Sequence, residues 1–321
     1  MALLALLAAG AWFLWYAMTP LSGAAFPVGF SVERGSSLTA AARGMEQAGV
    51  LSRPWAFVLL ARIKGLESGI KAGSYATQVP ISPLDLLRKI TVGDTVLGRL
   101  TIPEGWSFAE MRRAIDTHAG LRHDTAGMDA AQLLRAVGAE VGHPEGRFFP
   151  DTYFFDLGSS DLTIYKRAFA AMRQQLDAAW VARAPGLPYR EPGEVLTMAS
   201  IIEKETGAPD ERPQIASVFI NRMKIGMRLQ TDPTVIYGLG ERFDGNLRKD
   251  DLLADTPYNT YTRAGLPPTP IALPGAAALQ AAVNPARGRD LYFVAKGGGR
   301  HVFSDNLDAH NRAVNRYQRG R

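Results

Sequence analysis

Two glutamates, Glu203 and Glu205, sit in the run Met198-Ala-Ser-Ile-Ile-Glu-Lys-Glu-Thr-Gly207, which reads as the closing turns of a mostly apolar helix. Burying a carboxylate is costly unless it is paired or neutralised. A carboxyl that must stay protonated near neutral pH, ready to act as a general acid, is one reason to put an acid there. On a 3.6-residue period Val195, Met198, Ala199 and Ile202 form one apolar stripe. Glu205 follows Ile202, Ile201 and Met198 up the helix, all apolar, whereas Glu203 follows Ser200 and Ala199 on the other flank. Glu205 also lies in the last turn before Gly207, where the negative end of the helix dipole opposes ionisation. Phase and dipole together favour Glu205 as the acid with a raised pKa. Spacing alone leaves a second reading open, in which both carboxylates are solvated beside Lys204.

The elements that must position this acid follow from punctuation. Pro192 opens the helix, and Arg212-Pro213 to Ile225 makes another that stops at Gly226. Gln230, Thr231 and Asp232 crowd three polar groups into a short loop before Pro233. Tyr258-Asn-Thr-Tyr261 and Gly265-Leu-Pro-Pro-Thr-Pro270 are turn-rich and carry hydroxyls and amides. Such groups suit a neutral polyhydroxyl and acetamido ligand, and they equally satisfy backbone groups in tight turns.

Upstream, Leu97 to Ile102 reads as a strand, and Ser107 with Glu110 as a capping box. The Glu104 between them reads as structural. A short helix spans Asp129 to Val137, and Asp161 caps a long one through about Arg183. The aromatic stretch from Pro144 to Phe155 places Glu145 and Asp151 in apolar company. Nearer the start, Phe26 to Val32 reads as a strand, followed by helices opened at Ser36-Ser37 and Pro54, a strand over Ile70 to Thr77, and a helix from Ser82-Pro83. Trp55 and Tyr75 are the sugar-stacking candidates of this β-α-α-β-α unit, with a place in the core as the alternative. Strands near Leu291 to Val294 and His301 to Phe303 complete an α+β fold with a helical active-site region.

Composition narrows the function classes. The net charge of +5 is not gathered into a Lys/Arg run, so nucleic-acid binding gets little support. The absence of cysteine excludes disulfides and thiolate metal sites. His118, His123, His143, His301 and His310 show no ligand spacing, so neither a metal nor a cofactor is expected. Residues Met1 to Met18 carry no charge, and Trp12, Trp15 and Tyr16 gather toward the distal end before Thr19-Pro20. As a helix they would reach about 27 Å, close to a bilayer's hydrocarbon thickness. A single-pass anchor is the expectation, with a signal peptide cleaved near Ser22-Gly-Ala-Ala25 as the rival. The body would then stand outside the inner (cytoplasmic) membrane, in the periplasm.

Several runs resemble one family. Ala199-Ser-Ile-Ile-Glu-Lys-Glu-Thr206, Ala216-Ser-Val-Phe-Ile-Asn-Arg222, Met227-Arg-Leu-Gln-Thr-Asp-Pro-Thr-Val-Ile-Tyr237, Tyr258-Asn-Thr-Tyr261, Asn284-Pro285, Leu291-Tyr-Phe-Val294 and His310-Asn311 closely resemble the YceG-like endolytic murein transglycosylases. The resemblance implies an anchor over 1–20, a LysM-like region over 21–97 and a catalytic domain over 98–321. It also implies Glu205 as the catalytic residue and peptidoglycan glycan strands as substrate, with the wall synthases as possible partners. The implied reaction cuts the MurNAc-β-1,4-GlcNAc bond and leaves 1,6-anhydro-muramyl ends. A glycosidase that uses water or a covalent intermediate needs two carboxylates. Intramolecular attack by the C6 hydroxyl replaces the second one by proximity. Asn221, Gln230, Asp232, Tyr258, Asn259 and Tyr261 are candidates for holding the sugar, and Glu203 for a supporting role. Two other classes stay in view: a two-carboxylate muramidase using Glu205 with Asp232 or Glu203, and a wall-binding scaffold without catalysis.

Overall fold

The computed structural model describes residues 1–21, 28–77, 79–140 and 142–320. The chain divides into two compact units. The small-residue run Ser22 to Ala25 and the first two residues of the expected strand, Phe26 and Pro27, lie outside the described residues.

The first unit holds residues 1–99, with 119–122 and 154–159. Its elements are α1 (Ala2–Met18), β1 (Val28–Val32), α2 (Leu38–Gln47), α3 (Pro54–Ile63), β2 (Gly73–Thr77) and α4 (Pro83–Val92). β1 and β2 pair antiparallel, Phe30 opposite Tyr75. Ser37 and Ser82 cap α2 and α4, each hydroxyl accepting a backbone N–H from the first turn. Tyr75 is buried, stacks on Phe30 at 5.3 Å and donates its hydroxyl to the Lys71 carbonyl at 2.7 Å. Its ring is core and not a platform for sugar. Trp55 is exposed and lies 5.7 Å from Trp12, in a stack. α1 packs its Tyr16 and Ala17 into this unit while Leu3, Leu4, Leu6 and Leu7 stay exposed. Among the described residues, no helix is long and apolar enough to cross a membrane.

The second unit holds 100–118, 123–153 and 160–321. It contains α5 (Phe108–Asp116), α6 (Ala130–Ala136), α7 (Leu162–Val181), α8 (Pro192–Glu205), α9 (Arg212–Lys224), α10 (Asp232–Leu239), α11 (Lys249–Leu253) and α12 (Ala276–Val283). The antiparallel pair β5 (Tyr292–Gly297) and β6 (Arg300–Ser304) and then α13 (Leu307–Tyr317) close it. β3 (Leu97–Thr101) and β4 (Thr152–Asp156) form a further two-stranded sheet, with 97–99 and 154–156 belonging to the first unit and 100–101 and 152–153 to the second, so the fold is α+β with small sheets.

α8 is the centre of the second unit. Every residue from Val195 to Ile202 is buried, because α7, α9, α10 and α12 surround the helix. The single stripe expected from periodicity is therefore too narrow: a helix apolar all round is an interior helix. Fully burying one of its aliphatic side chains contributes about 2 kcal/mol, so this contact set anchors whatever α8 carries at its end. The capping box at Ser107 and Glu110 is present in full. Asp161 departs from expectation: it precedes α7, yet its carboxylate accepts the backbone N–H and hydroxyl of Thr125 instead of capping the helix.

Candidate active site

α8 ends on Glu205, and Thr206 leaves the helix in an extended conformation. The end is made without a left-handed glycine, and the Thr206 hydroxyl accepts the Ala208 N–H at 2.9 Å. Burial pushes the Glu205 carboxyl up to about 7. The Thr231 hydroxyl, hydrogen-bonded to Oε1, works against this, as do the charges of His301 and Arg222, while Asp232 adds to it. Among the described residues Oε2 makes no hydrogen bond. Glu205 borders a cavity of about 520 Å³.

Gln230, Asp232 and Tyr261 line the same cavity, bringing half of the proposed sugar-holding set to the acid. Gln230 is held at φ 51, a left-handed conformation rare for a residue with a side chain and costly by about 1–3 kcal/mol. Its N–H is fixed by the Thr260 carbonyl at 3.2 Å. Asp232 stands in the first turn of α10, where a helix N-terminus favours an anion. The Tyr261 hydroxyl donates to its Oδ1 at 2.5 Å. Burial and that hydrogen bond hold the Tyr261 phenol well above its ordinary value, so it stays a donor.

The other half of the set is placed elsewhere. The Asn221 amide donates to the Gly288 and Asp290 carbonyls, tying α9 to the strand that follows. Asn259 is buried, its amide donating to the Asp251, Leu252 and Ala254 carbonyls while its oxygen accepts the Tyr261 N–H. Tyr258 shares a hydrogen bond with Thr269 at 2.8 Å and packs edge-on against Tyr237. These three hold loops together, and their side-chain polarity is consumed by backbone groups or by one another.

Glu203 has a structural task. Its side chain is 5% exposed, pairs with Arg212 at 2.9 Å and accepts the Gly275 N–H at 3.0 Å. It thereby clamps α8 to α9 and to the start of α12. Glu104 stands 3.8 Å from the same guanidinium, its carboxyl raised by burial and then by the Glu203 charge. A Cβ on Gly275 would sit 1.7 Å from Glu104 Oε1, so a larger residue there would have to displace the Glu104 carboxylate.

Glu145 is a second deeply buried acid. At 3% exposure it accepts the Phe108 N–H at 2.8 Å and the Tyr237 hydroxyl at 3.1 Å. Burial pushes its carboxyl to about 7 despite these donors. It borders another cavity of about 880 Å³. Asp151, by contrast, is exposed and accepts the N–H of the neighbouring Thr152.

The remaining wall of the Glu205 cavity comes from residues whose types and spacing carry no site signal. Arg222 donates to the Leu291 and Leu229 carbonyls, both at 2.6 Å, and lies over the Tyr292 ring, which stacks on His310 at 5.0 Å. His301 joins them from β6. The sequence signal for this wall is the family-like runs that hold Arg222, Tyr292 and His310, and His301 lies in none of them. Among the described residues, no group of three or more His, Cys, Asp or Glu could hold a metal ion.

The YceG-like family model matches residues 30–316. A Bacillus subtilis (strain 168) protein named endolytic murein transglycosylase is 33% identical over 309 residues, 90% of this chain and 84% of that one. A Streptococcus pneumoniae protein of the same name is 27% identical over 317 residues, covering 88% of this chain and 57% of its own length. The crystal structure of a yceG-like protein from Listeria monocytogenes superposes with a TM-score of 0.55 at 29% identity, over 89% of this chain and 98% of that one. With the family model spanning most of its length and a relative of this similarity beside it, the chain belongs to the YceG-like family.

Proposed function

We propose that this protein is an endolytic peptidoglycan lytic transglycosylase, a lyase that cuts the MurNAc-β-1,4-GlcNAc bond within glycan strands and leaves 1,6-anhydroMurNAc ends. The observation that carries this is Glu205: a carboxyl raised to about 7, with one oxygen held by Thr231 and the other left to the cavity. A group of that pKa is protonated in a useful fraction near neutral pH and can be regenerated there. Glu205 protonates the leaving oxygen, the substrate's own acetamido carbonyl stabilises C1, and the C6 hydroxyl closes on C1. Gln230, Asp232 and Tyr261 hold the sugar. The names of the relatives in Bacillus subtilis and Streptococcus pneumoniae support the same activity.

A hydrolytic reading has one observation in its favour, since Asp232 shares the cavity with Glu205 and supplies a second carboxylate. Glu203 does not serve it, being spent on Arg212. Mass spectrometry of digested strands separates the readings. Anhydro ends are expected, and hydrated reducing ends would overturn the lyase.

The setting we propose is an anchor over residues 1–20, placing the body outside the inner membrane, with 21–97 as a LysM-like region acting on strands near their synthases. Support comes from the uncharged α1 with its exposed leucines and from the β1-α2-α3-β2 order of the first unit. Deleting residues 1–20 should release the protein from membranes while cleavage of isolated strands persists. Continued membrane partitioning of that variant would refute the anchor.

A further inference from the structure

We propose that Glu211 and His301 form a second proton-transfer pair in this site: His301 Nε2 takes the C6 hydroxyl proton while Glu205 protonates the leaving oxygen. The inference rests on the lytic reading above.

His301 lies on β6 opposite Ala295, in the wall of the cavity that Glu205 borders. Glu211 precedes α9, and both of its oxygens engage this one residue. Oε2 stands 2.8 Å from His301 Nδ1, and Oε1 accepts the His301 backbone N–H at 3.1 Å. Backbone and ring are thus fixed together, and the Phe293 ring packs edge-on against the imidazole at 5.3 Å. The Glu211 side chain is 5% exposed. Burial pushes its carboxyl up, but the two hydrogen bonds from His301 and the charge of Arg300 outweigh it and hold the group below its ordinary value. An ionised carboxylate only accepts, so Nδ1 carries the hydrogen, and the neutral form of the ring has its lone pair on Nε2. Among the described residues Nε2 makes no hydrogen bond. A histidine with its tautomer set by a buried carboxylate and its second nitrogen free is built to accept a proton.

The Thr231 bond at Glu205 gives this pair its purpose. It leaves a single Glu205 oxygen for substrate, and that oxygen would otherwise serve both the leaving oxygen and O6. With two groups the step balances. The C1–O4 bond breaks with its electrons going to O4, which takes the Glu205 proton. O6 bonds to C1 and gives its proton to Nε2. The imidazolium then returns a proton to the Glu205 carboxylate, and no net proton is consumed. The titratable and charged groups that share the cavity wall with the ring are Glu205 on α8, Arg222 on α9, Asp232 on α10, Tyr261 on its loop, Tyr292 on β5 and His310 on α13, while Arg300 pairs with Asp210 and stands 3.9 Å from Glu211.

The test is the pH dependence of kcat/KM for the full chain on uncrosslinked glycan strands. Wild type should show a falling alkaline limb from Glu205 and a falling acid limb from His301. His301→Gln should lose about a hundredfold or more and flatten the acid limb. Glu211→Gln should keep the acid limb but move it to lower pH, because the imidazolium loses its anionic partner. A His301→Gln rate within about threefold of wild type, with both limbs unchanged, overturns the proposal. If that variant does not fold, titration of the His301 ring by NMR in wild type and Glu211→Gln decides: a ring pKa that does not coincide with the acid limb, or does not fall in Glu211→Gln, overturns it too. Wild type making no anhydro ends sinks the lytic reading itself. Anhydro ends with an unchanged His301→Gln profile sink only the pair.

Discussion

Glu145 and Glu205 are both carboxyls that burial lifts to about 7, and they lead different lives. Glu145 has each oxygen occupied, one by the Phe108 N–H and one by the Tyr237 hydroxyl, which staples the loop after Pro144 to α5 and α10. Glu205 has one oxygen occupied by Thr231 and the other open to a cavity walled by Arg222, Asp232, Tyr261 and His301. The difference teaches that a raised pKa does not mark a catalytic acid by itself. A buried carboxyl that is fully hydrogen-bonded is a fastener; one with an oxygen left unbonded beside a polar cavity keeps the capacity to give a proton that the proposed reaction needs.

The sharpest way to break this comparison is to exchange each acid for its amide. Glu205→Gln keeps the size and the acceptor for Thr231 but has no proton to give, so strand cleavage should fall by about a thousandfold or more. Glu145→Gln should stay within about threefold of wild type, since nothing it touches reacts. Release of labelled fragments from glycan strands reads both. Equal losses would make Glu145 part of the chemistry and collapse the distinction.

Stability against pH should treat the two acids alike. Each has a folded-state pKa of about 7 against an ordinary 4.5, so the folded state binds the proton more tightly. That penalty is absent below about pH 4.5, grows as pH rises toward 7 and is complete above it. Each group should thus cost on the order of 3 kcal/mol at pH 8 relative to pH 4. Urea unfolding at the two pH values should show the wild-type difference shrinking by a similar amount in Glu205→Gln and Glu145→Gln. A shrinkage in only one would mean that the other carboxyl titrates near its ordinary value.

Truncation should separate them again, in the opposite sense to activity. At pH 4, Glu145→Ala strands the Phe108 N–H and the Tyr237 hydroxyl without acceptors and should lose about 2–3 kcal/mol. Glu205→Ala strands only the Thr231 hydroxyl and should lose about 1 kcal/mol. If Glu205→Ala proved the more damaging, the free oxygen of Glu205 would have a structural partner after all.

Much of this arrangement is legible in the residues, and the remainder has physical reasons for staying hidden. Capping chemistry is local, so Ser37, Ser82, Ser107 and Asp129 all start helices where their side chains suggest. Asp161 fails the same rule because a distant group, Thr125, competes for its carboxylate. α12 is a run of alanines with one leucine, one glutamine and one valine, buried over most of its surface, and it leaves no polar stripe for periodicity to detect. α10 begins inside what reads as a polar loop, since Thr231-Asp232-Pro233 serves a helix start as well as a turn. The choice between Glu203 and Glu205 is legible in helical phase, but its reason is not: both are buried, and Arg212, which comes from the next helix, decides which is paired. The candidates Asn221, Tyr258 and Asn259 show the limit of residue type. An amide in a loop looks the same in sequence whether it faces a sugar or three backbone carbonyls.

The smallest expected effect tests the one hydroxyl that donates to each acid. Thr231 stabilises the Glu205 carboxylate, so Thr231→Val should raise the Glu205 pKa further. The alkaline limb of kcat/KM should then move to higher pH by about one unit, while the maximal rate changes by less than about tenfold. Tyr237→Phe removes the corresponding donor from Glu145 and should raise that carboxyl in the same way. Its pH–rate profile should nevertheless superimpose on wild type, because Glu145 takes no part in proton transfer. A shift of the limb in Tyr237→Phe would couple the two acids through α10, which carries Asp232 at one end and Tyr237 near the other. An unmoved limb in Thr231→Val would mean that some group other than Glu205 sets the alkaline fall.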